Sequence, residues 1–487
     1  MKRCQLFPFL IALLVFSSCK KDFMELNKNP NTLERALPKT LLAPALTEIV
    51  KFNAKQAESF GNELMQVHID MGGSNAKPYR YDIPTSLAIA PYNSWFLQIP
   101  NFRDIYSGAL YRLGIDSLGH NKTYMAISLI CEAWVMSLIT DTYGDVPFTE
   151  AGQAKEQKFL PKFDSQESIY LGLFAKLEEA NTLLKTNADF PVDEQAADPL
   201  YKGVALKWRK FGNSLYLRLL LRASAKSVSN APAKISAIVL NTTDYPLIDN
   251  NDASAILRWT GTVPYDSPFA TTKTAAWNTR GYTNFFINNL KLWNDPRLAK
   301  WVKKDANNQY TGVPSGFLPS DNPPKGSSRP NTLQTEPLLG NMLNYSEVQF
   351  MLAEAAARGW ITGAAKTYYE NGITSHMTLW GLTLPTGYLS SAPIAWKDTD
   401  NLEAKLEKIH LQKYYSLFFT DFQSWFEYRR TGHPILPQGN GLLNNGLMPA
   451  RLMYPVYLQS SNGANLRDAI TRQGPDDINT KVWWQKP

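Results

Sequence analysis

The sequence predicts a mostly α-helical fold that carries one loop-rich region, and three observations support this. Long blocks of the 487-residue chain place apolar residues at three- and four-residue steps, the spacing of one face of an α-helix. Between about residues 241 and 335 the chain is instead rich in Asn, Thr, Pro, Gly and aromatic residues, with few periodic runs. Helical blocks also follow one another in pairs, which favours the packing of a helical-repeat protein.

The N-terminus has the parts of an export signal followed by a cysteine. Lys2 and Arg3 precede an apolar run that ends at Phe16, and two serines separate this run from Cys19. The run is too short to cross a bilayer, which takes about 20 residues. We therefore expect residues 1–18 to be a signal peptide that is removed.

The cysteine after this signal resembles the lipobox of bacterial lipoproteins, although Phe16 stands where leucine is usual. The resemblance implies that the thiol of Cys19 receives a lipid and that Cys19 becomes the first residue of the mature protein. The alternative is a plain secreted protein in which Cys19 is incidental. Residues 19–37 are polar and rich in Asn and Pro, so we expect a flexible tether.

Residues 38–487 are expected to form a single domain, and helical patterns fill its first half. Periodicity and turn signals predict five helical segments there: Leu41–Met65, as one or two helices broken near Pro44; residues 92–114, with a boundary or kink at Pro100; Thr123–Ile139, with one broad apolar face; residues 163–184, with Asp164 or Ser165 as N-cap; and Lys202–Arg222.

The second half begins with the loop-rich region at about residues 241–335, where we expect short elements and the ligand-binding loops. Helical patterns resume at residues 345–363, 364–381 and 401–432. From His433 onward, Pro, Gly and Asn predict loops again.

Charge and cysteine content exclude some classes of protein. Removal of Lys2 and Arg3 leaves 48 basic and 43 acidic residues, and the basic residues are scattered, so we expect no nucleic-acid partner. We expect no segment after the signal to be long and apolar enough to span a membrane. Cys131 is the only cysteine left after Cys19 and the signal are set aside. It lies in an apolar helical pattern and is expected to be buried without a disulfide.

No catalytic or metal-binding motif is evident, so we expect neither an enzyme nor a cofactor. The five histidines lack metal-ligand spacing, and nucleophile-elbow, Walker and dinucleotide-binding motifs are missing from the sequence. Asp141 and Asp145 in "DTYGDVPF" are interpreted as part of a helix end closed at Gly144. Arg429 and Arg430, which lie close to His433, are interpreted as helix-end charges that pair with internal acids such as Glu427, in preference to an anion clamp. A pair of carboxylates for glycoside hydrolysis stays open.

Aromatic residues outside the helical patterns are the candidate ligand contacts. A ring that stacks on a sugar or a peptide side chain needs an exposed loop with polar groups beside it. The alternative for each ring is that it pins its loop to the helices, and Trp95, which opens a helical pattern, favours a core position. The candidate residues are Tyr79, Tyr81, Trp95, Tyr265, Asp266, Trp277, Asn278, Arg280 and Tyr282.

Six segments in a fixed order resemble one protein family. They are "DTYGDVPFTEA" (Asp141–Ala151), "KWRKFGNSLYLRLLLR" (Lys207–Arg222), "NDPRL" (Asn294–Leu298), "LAEAAARGW" (Leu352–Trp360), "QKYYSLFFTDFQSWFEYRRTGHP" (Gln412–Pro434) and "RLMYP" (Arg451–Pro455). Together with the lipobox they are similar to the SusD/RagB superfamily of outer-membrane nutrient-binding lipoproteins, and to its SusD-like branch in particular.

The resemblance implies tetratricopeptide-like helix pairs with a loop-rich ligand-binding part. It also implies a lipid-anchored protein on the outer membrane of Bacteroidetes-type bacteria. Such a protein works as a hinged lid on a SusC-like TonB-dependent transporter. The implied function is capture of a nutrient, with an oligosaccharide as the first expectation and a peptide as the alternative. A surface glycoside hydrolase and a lipoprotein that binds only its transporter also stay open as functions.

Overall fold

The computed structural model describes residues 37–72 and 77–486. The predicted signal peptide, Cys19 and almost all of the tether lie outside these residues. The helices are α1 (Pro38–Gln56), α2 (Asn62–Leu64), α3 (Ile89–Phe96), α4 (Ile99–Asp116), α5 (Gly119–Tyr143), α6 (Gln166–Leu184), α7 (Ala205–Arg222), α8 (Ala231–Leu240), α9 (Thr274–Trp277), α10 (Asn284–Leu292), α11 (Arg297–Trp301), α12 (Tyr345–Ala357), α13 (Ala365–Leu379), α14 (Leu402–Ser416), α15 (Gln423–Thr431), α16 (Leu458–Ser461) and α17 (Gly463–Gln473).

Strands are few and short, and they form three antiparallel pairs. These pairs are β1 (His68–Asp70) with β5 (Arg280–Tyr282), β2 (Val146–Pro147) with β3 (Phe163–Asp164), and β4 (Ala255–Ile256) with β6 (Asn341–Leu343). The predicted mostly α-helical class is confirmed.

Long helices pack side by side in chain order. Helix α1 packs on α4, α4 on α5, α5 on α6, and α6 on α7, while α12 packs on both α13 and α14. Only Ser117 and Leu118 separate α4 from α5, so these two helices form a tight hairpin. The predicted packing in helix pairs is confirmed.

Helix α5 is the centre of this array. Of the described residues, only this helix is long and apolar enough to cross a membrane, with a mean hydropathy of 1.5, and that apolar window is entirely buried inside the protein. Sequence analysis predicted one apolar face, but α4, α6 and α7 surround the helix and bury nearly all of it. Cys131 is buried in it as a free thiol, as predicted.

Several predicted helix boundaries are confirmed at the level of single residues. Pro100 lies in the first turn of α4, where its missing N–H costs nothing. Ser165 caps α6, because its hydroxyl accepts a hydrogen bond from the Ser168 N–H at 3.2 Å. Gly144 ends α5 with a φ of +85°, and a Cβ at this position would lie 1.7 Å from Oε1 of Gln473.

Other boundaries differ from the prediction. Pro44 does not break the first segment but lies inside α1, whose neighbouring residues Leu42, Ala45 and Leu46 are buried in the core. The block at 401–432 splits into α14 and α15, because Phe419 and Asp421 take positive φ values. The tail, predicted as loops, contains α16 and α17.

Buried ion pairs tie the helices to one another. Arg222 of α7 contacts Asp141 of α5 at 2.8 Å and Glu427 of α15 at 2.9 Å. Arg430 contacts the same Glu427 at 2.7 Å and Glu354 of α12 at 2.6 Å. The pairing with internal acids is confirmed for Arg430, whereas Arg429 donates to the backbone carbonyls of Asp141 and Ala450, and Asp141 has a structural role.

Candidate ligand-binding surface

The pairing of β1 with β5 brings together two parts of the chain that are more than 200 residues apart. Asp70 lies opposite Arg280, and His68 lies opposite Tyr282. The Met71 N–H extends the pairing by donating to the carbonyl of Thr279 at 3.1 Å. Residues 68–72 and 77–82 therefore lie in one area with residues 277–282, and these segments contain six of the nine predicted site residues.

Arg280 is the centre of this area and contacts three carboxylates. Its guanidinium lies 3.0 Å from Glu58, 2.5 Å from Glu63 and 2.9 Å from Asp70. Glu58 also pairs with the buried Arg329 at 2.7 Å. Because Nε, Nη1 and Nη2 of Arg280 all have protein partners, the side chain holds the acids in place and has little capacity left for a ligand.

The environment separates the pKa values of two acids in this cluster. Burial raises the pKa of Glu58, but Arg280 and Arg329 outweigh it and bring the value to about 2. Burial dominates at Glu63, helped by the negative charges of Asp70 and Glu58, and raises its pKa to about 8. At neutral pH Glu63 is therefore protonated and neutral, whereas Glu58 is ionised between Arg280 and Arg329.

Half-buried polar side chains surround the cluster and form what we call the β1–β5 surface. Lys325 donates to the carbonyl of Asn278 at 2.6 Å, and Lys77 donates to the carbonyl of Gly72 at 3.2 Å. The surface consists of Asp70, Met71, Lys77, Asn278, Arg280 and Lys325.

Two polar atoms at or just beneath this surface have no partner among the described residues. They are Oδ1 of Asn278, an acceptor, and Oε2 of Glu63, which carries the proton of the neutral acid because Oε1 accepts from Arg280, and both are shielded from solvent. Buried polar atoms in folded proteins normally have a hydrogen-bond partner, so each such atom calls for an explanation. An ordered water or a polar group of a ligand would satisfy them.

Five of the candidate aromatic residues are buried. For four of them this contradicts the expectation that their rings are exposed on loops, whereas Trp95 has the core position that its helical pattern favoured. Trp277 is 1% exposed, with Arg329 3.6 Å above its ring. Tyr79 stacks on the half-buried Phe317, with ring centres 5.4 Å apart. These five rings pin loops and helices together because tertiary packing covers both of their faces; they are Tyr79, Tyr81, Trp95, Trp277 and Tyr282.

Tyr265 and Asp266 lie away from the β1–β5 surface and are half-buried. Asp266 pairs with Lys51 of α1 at 2.6 Å. Tyr265 lines a separate open cavity of about 400 Å³ between the α6–α7 connection and the loop after β4. Among the predicted site residues, Tyr265 is thus the aromatic one with a ring beside open space.

One group of side chains has the spacing of a metal site among the described residues but does not fit a cation. Ligand atoms of Glu354, His410 and Glu427 lie within 4.8 Å of one another, and all three residues are buried. Arg430 already bonds both carboxylates. Further cations on these acids are Arg222, Arg358 and Lys413. A metal ion here would meet an excess of positive charge.

Sequence reasoning missed the acids that define the site. Glu58 lies in the π-helical turn Ala57–Gly61 that follows α1, and Glu63 lies in α2, where each resembles an ordinary helix-surface acid. Asp70 and Lys77 precede Tyr79 and Tyr81 in the sequence and could have been included as polar neighbours of these tyrosines. Lys325 and Arg329 lie in the loop-rich region without a distinguishing pattern.

These features define a helical-repeat protein with a loop-built polar surface. The chain belongs to the SusD-like family described as "Starch-binding associating with outer membrane", which it matches over residues 30–455. The recognition of a SusD/RagB-like protein from the sequence is thereby confirmed. No curated protein matches the chain.

Solved structures of SusD homologues are similar along nearly the whole chain. One from Bacteroides fragilis NCTC 9343 is 25% identical, with a TM-score of 0.77, over 93% of this chain and 100% of its own. One from Bacteroides uniformis ATCC 8492 is 24% identical, with a TM-score of 0.79, over 92% and 99%. A chitin-binding SusD homologue from Flavobacterium johnsoniae is 22% identical, with a TM-score of 0.80, over 92% and 98%.

Proposed function

We propose that this chain is an outer-membrane lipoprotein, anchored through Cys19 and exposed at the cell surface, that captures an oligosaccharide. It delivers this ligand to a SusC-like TonB-dependent transporter. The observation that carries the proposal is membership of a family described as starch-binding and associated with the outer membrane. The chitin-binding homologue of the same fold supports a glycan as the ligand, and the lipobox-like sequence before Cys19 supports the anchor.

We assign capture to the β1–β5 surface. Sugars are bound through hydroxyl groups that both donate and accept hydrogen bonds, so carboxylate, amide and ammonium groups suit them. Asp70, Lys77 and Asn278 supply these groups within one area, and the half-buried ring of Phe317 lies beside Tyr79 at its edge. The unpartnered Oδ1 of Asn278 is the sharpest feature: it is shielded from solvent as it stands, and rotation of this half-buried side chain would bring it to a sugar hydroxyl.

The test is a titration of the mature chain, lacking signal and Cys19, with a panel of oligosaccharides and peptides by calorimetry. We expect saturable binding to one class of oligosaccharide. Asn278→Ala removes the free acceptor without breaking a side-chain hydrogen bond to the described residues, so affinity should fall about 3- to 10-fold, the worth of one hydrogen bond of about 1 kcal/mol.

Asn307→Ala is the matched control, since Asn307 is an exposed asparagine in another loop. Equal affinity in the Asn278 and Asn307 variants would refute the assignment to the β1–β5 surface. If only peptides bind saturably, the proposed ligand changes from a glycan to a peptide, and the capture function is retained. If no oligosaccharide or peptide of the panel binds, capture is refuted in favour of a lipoprotein that binds only its transporter.

One observation favours a second candidate, glycoside hydrolysis. Glu63 has its pKa raised to about 8 by burial, as a general acid requires, and Asp70 binds the same guanidinium nitrogen of Arg280. Arg280, however, occupies the space between the two carboxylates that the glycosidic oxygen would need. The side chain of Glu63 is also only 3% exposed. The geometry therefore supports binding better, and release of product from a chromogenic glycoside, lost in Glu63→Gln, would overturn this preference.

A further inference from the structure

We propose that the cavity beside Tyr265 is a second binding pocket, specific for sugars that carry a carboxylate. Its volume of about 400 Å³ lies within the range of small-ligand pockets. It is lined by Gln195, Pro199 and Lys202 from the α6–α7 connection and by Arg258, Thr260 and Tyr265 from the loop after β4. This pocket rests on the proposed function only in taking a carbohydrate as the ligand, and it shares no residue with the β1–β5 surface.

The charge of this pocket is positive and unbalanced. Lys202 and Arg258 are exposed, and neither side chain has an ion pair or hydrogen bond with any residue that the structure describes. The acid in the wall, Asp198, offsets at most one of these two charges, and it does not pair directly with either cation. Asp198 is 1% exposed, and its Oδ2 accepts hydrogen bonds from the Gly203 N–H at 2.7 Å and from Nε1 of Trp208 at 2.6 Å. An anionic group is therefore the natural partner of the two cations, and a guanidinium can bind a carboxylate through two hydrogen bonds.

The remaining walls suit a sugar ring rather than a bare anion. The half-buried ring of Tyr265 and the ring of Pro199 supply flat apolar area, and Gln195 and Thr260 supply hydrogen-bonding groups. The loop that carries Tyr265 is held by its own backbone, because Thr260 N–H donates to the Tyr265 carbonyl at 2.8 Å and Tyr265 N–H donates to the Thr262 carbonyl at 2.7 Å. Uronic-acid units combine a flat ring face with a carboxylate and fit both features.

The experiment compares three probes on the mature chain lacking signal and Cys19. They are an oligogalacturonide, a neutral malto-oligosaccharide of the same length, and sodium acetate. We expect the oligogalacturonide to bind, and to bind more weakly as salt is raised. Arg258→Gln and Lys202→Gln should each weaken this binding by on the order of tenfold or more, since each removes a charged hydrogen bond. Lys397→Gln, a change at an exposed lysine elsewhere, should leave it unchanged.

The outcomes separate this pocket from the β1–β5 surface. The proposal is overturned if the oligogalacturonide does not bind, or if Arg258→Gln binds it as the Lys397→Gln control does. Acetate that competes at the same concentration as the oligogalacturonide would reduce the pocket to a simple anion site and overturn the sugar specificity. Binding of a neutral oligosaccharide that responds to Asn278→Ala, but not to Arg258→Gln, tests the proposed function alone.

Discussion

Replacement of Glu63 by Gln should change how the stability of the protein depends on pH. Glu63 is buried beside Arg280, and its pKa is raised to about 8 by burial and by the neighbouring charges of Asp70 and Glu58. In the unfolded chain the same carboxyl titrates near 4.3. Between these two values the folded protein keeps a proton that the unfolded chain has released.

The sign follows from this difference in bound protons. Wild-type stability falls as pH rises through this window, because the folded state binds more protons than the unfolded one. Each pH unit costs about 1.4 kcal/mol for one proton. Glutamine is neutral at every pH and has no such loss. Relative to wild type, the free energy of unfolding of Glu63→Gln should therefore rise by about 1.4 kcal/mol per pH unit between about pH 5 and 8.

Urea unfolding at several pH values measures this difference, and Glu58→Gln is the control from the same cluster. Burial raises the pKa of Glu58, but Arg280 and Arg329 lower it further, to about 2. Glu58 is therefore ionised in both states above about pH 5, and Glu58→Gln should lower stability while keeping the downward slope that Glu63 produces; this slope should end at a lower pH, because the charge of Glu58 that helps to raise the pKa of Glu63 is gone. If the curve of Glu63→Gln runs parallel to wild type between pH 5 and 8, the protonated state of Glu63 is refuted.

Three further changes test the core, the ion-pair network and the anchor. Trp277→Ala should lower the free energy of unfolding by about 3–5 kcal/mol, because the side chain is 1% exposed and packs against Arg329. Chemical denaturation measures this loss, and a change of less than about 0.5 kcal/mol would contradict the packing role. Arg430→Met should lower the free energy of unfolding by about 3–5 kcal/mol, because it leaves Glu354 and Glu427 without the cation that they share. Arg358→Met, at a more exposed position on Glu354, should lower it clearly less. Equal unfolding midpoints for the two variants would argue against the network. Cys19→Ala should move the protein from the membrane to the soluble fraction with an unchanged melting temperature, and an unchanged membrane pool would count against lipidation.

The fold could be predicted wherever local signals and tertiary packing agree. Pro100 and Ser165 mark helix starts because a missing donor and a side-chain acceptor act within one turn. Pro44 shows the opposite case, since buried neighbours keep α1 continuous across a residue that normally breaks helices. Helix α17 was missed because only Leu466, Ala469 and Gln473 of its eleven residues are buried, which is too sparse a pattern to detect.

The candidate site was predictable as a region but not as a set of contacts. The pairing of Asp70 with Arg280 joins residues 210 positions apart, and no local pattern encodes such a register. The burial of Trp277 depends on Arg329 and Phe269, which close over its two sides from elsewhere in the loop-rich region. The aromatic content therefore identified the correct loops, but the prediction that their rings are exposed to solvent was wrong for most of them.

Arg280 stabilises the β1–β5 surface but is poorly placed to bind a ligand itself. Its nitrogens are taken up by Glu58, Glu63 and Asp70, so a ligand that claimed one of them would deprive the buried acid Glu63 or one of the half-buried acids Glu58 and Asp70 of a charged hydrogen bond. That loss costs several kcal/mol, more than a neutral hydrogen bond to a sugar returns. Arg280 therefore positions Asp70 and ties β5 to the end of α1. Asn278, with its unpartnered oxygen, is free to bind without any such loss, and for this reason the structure directs the first ligand-binding test to Asn278 rather than to the arginine.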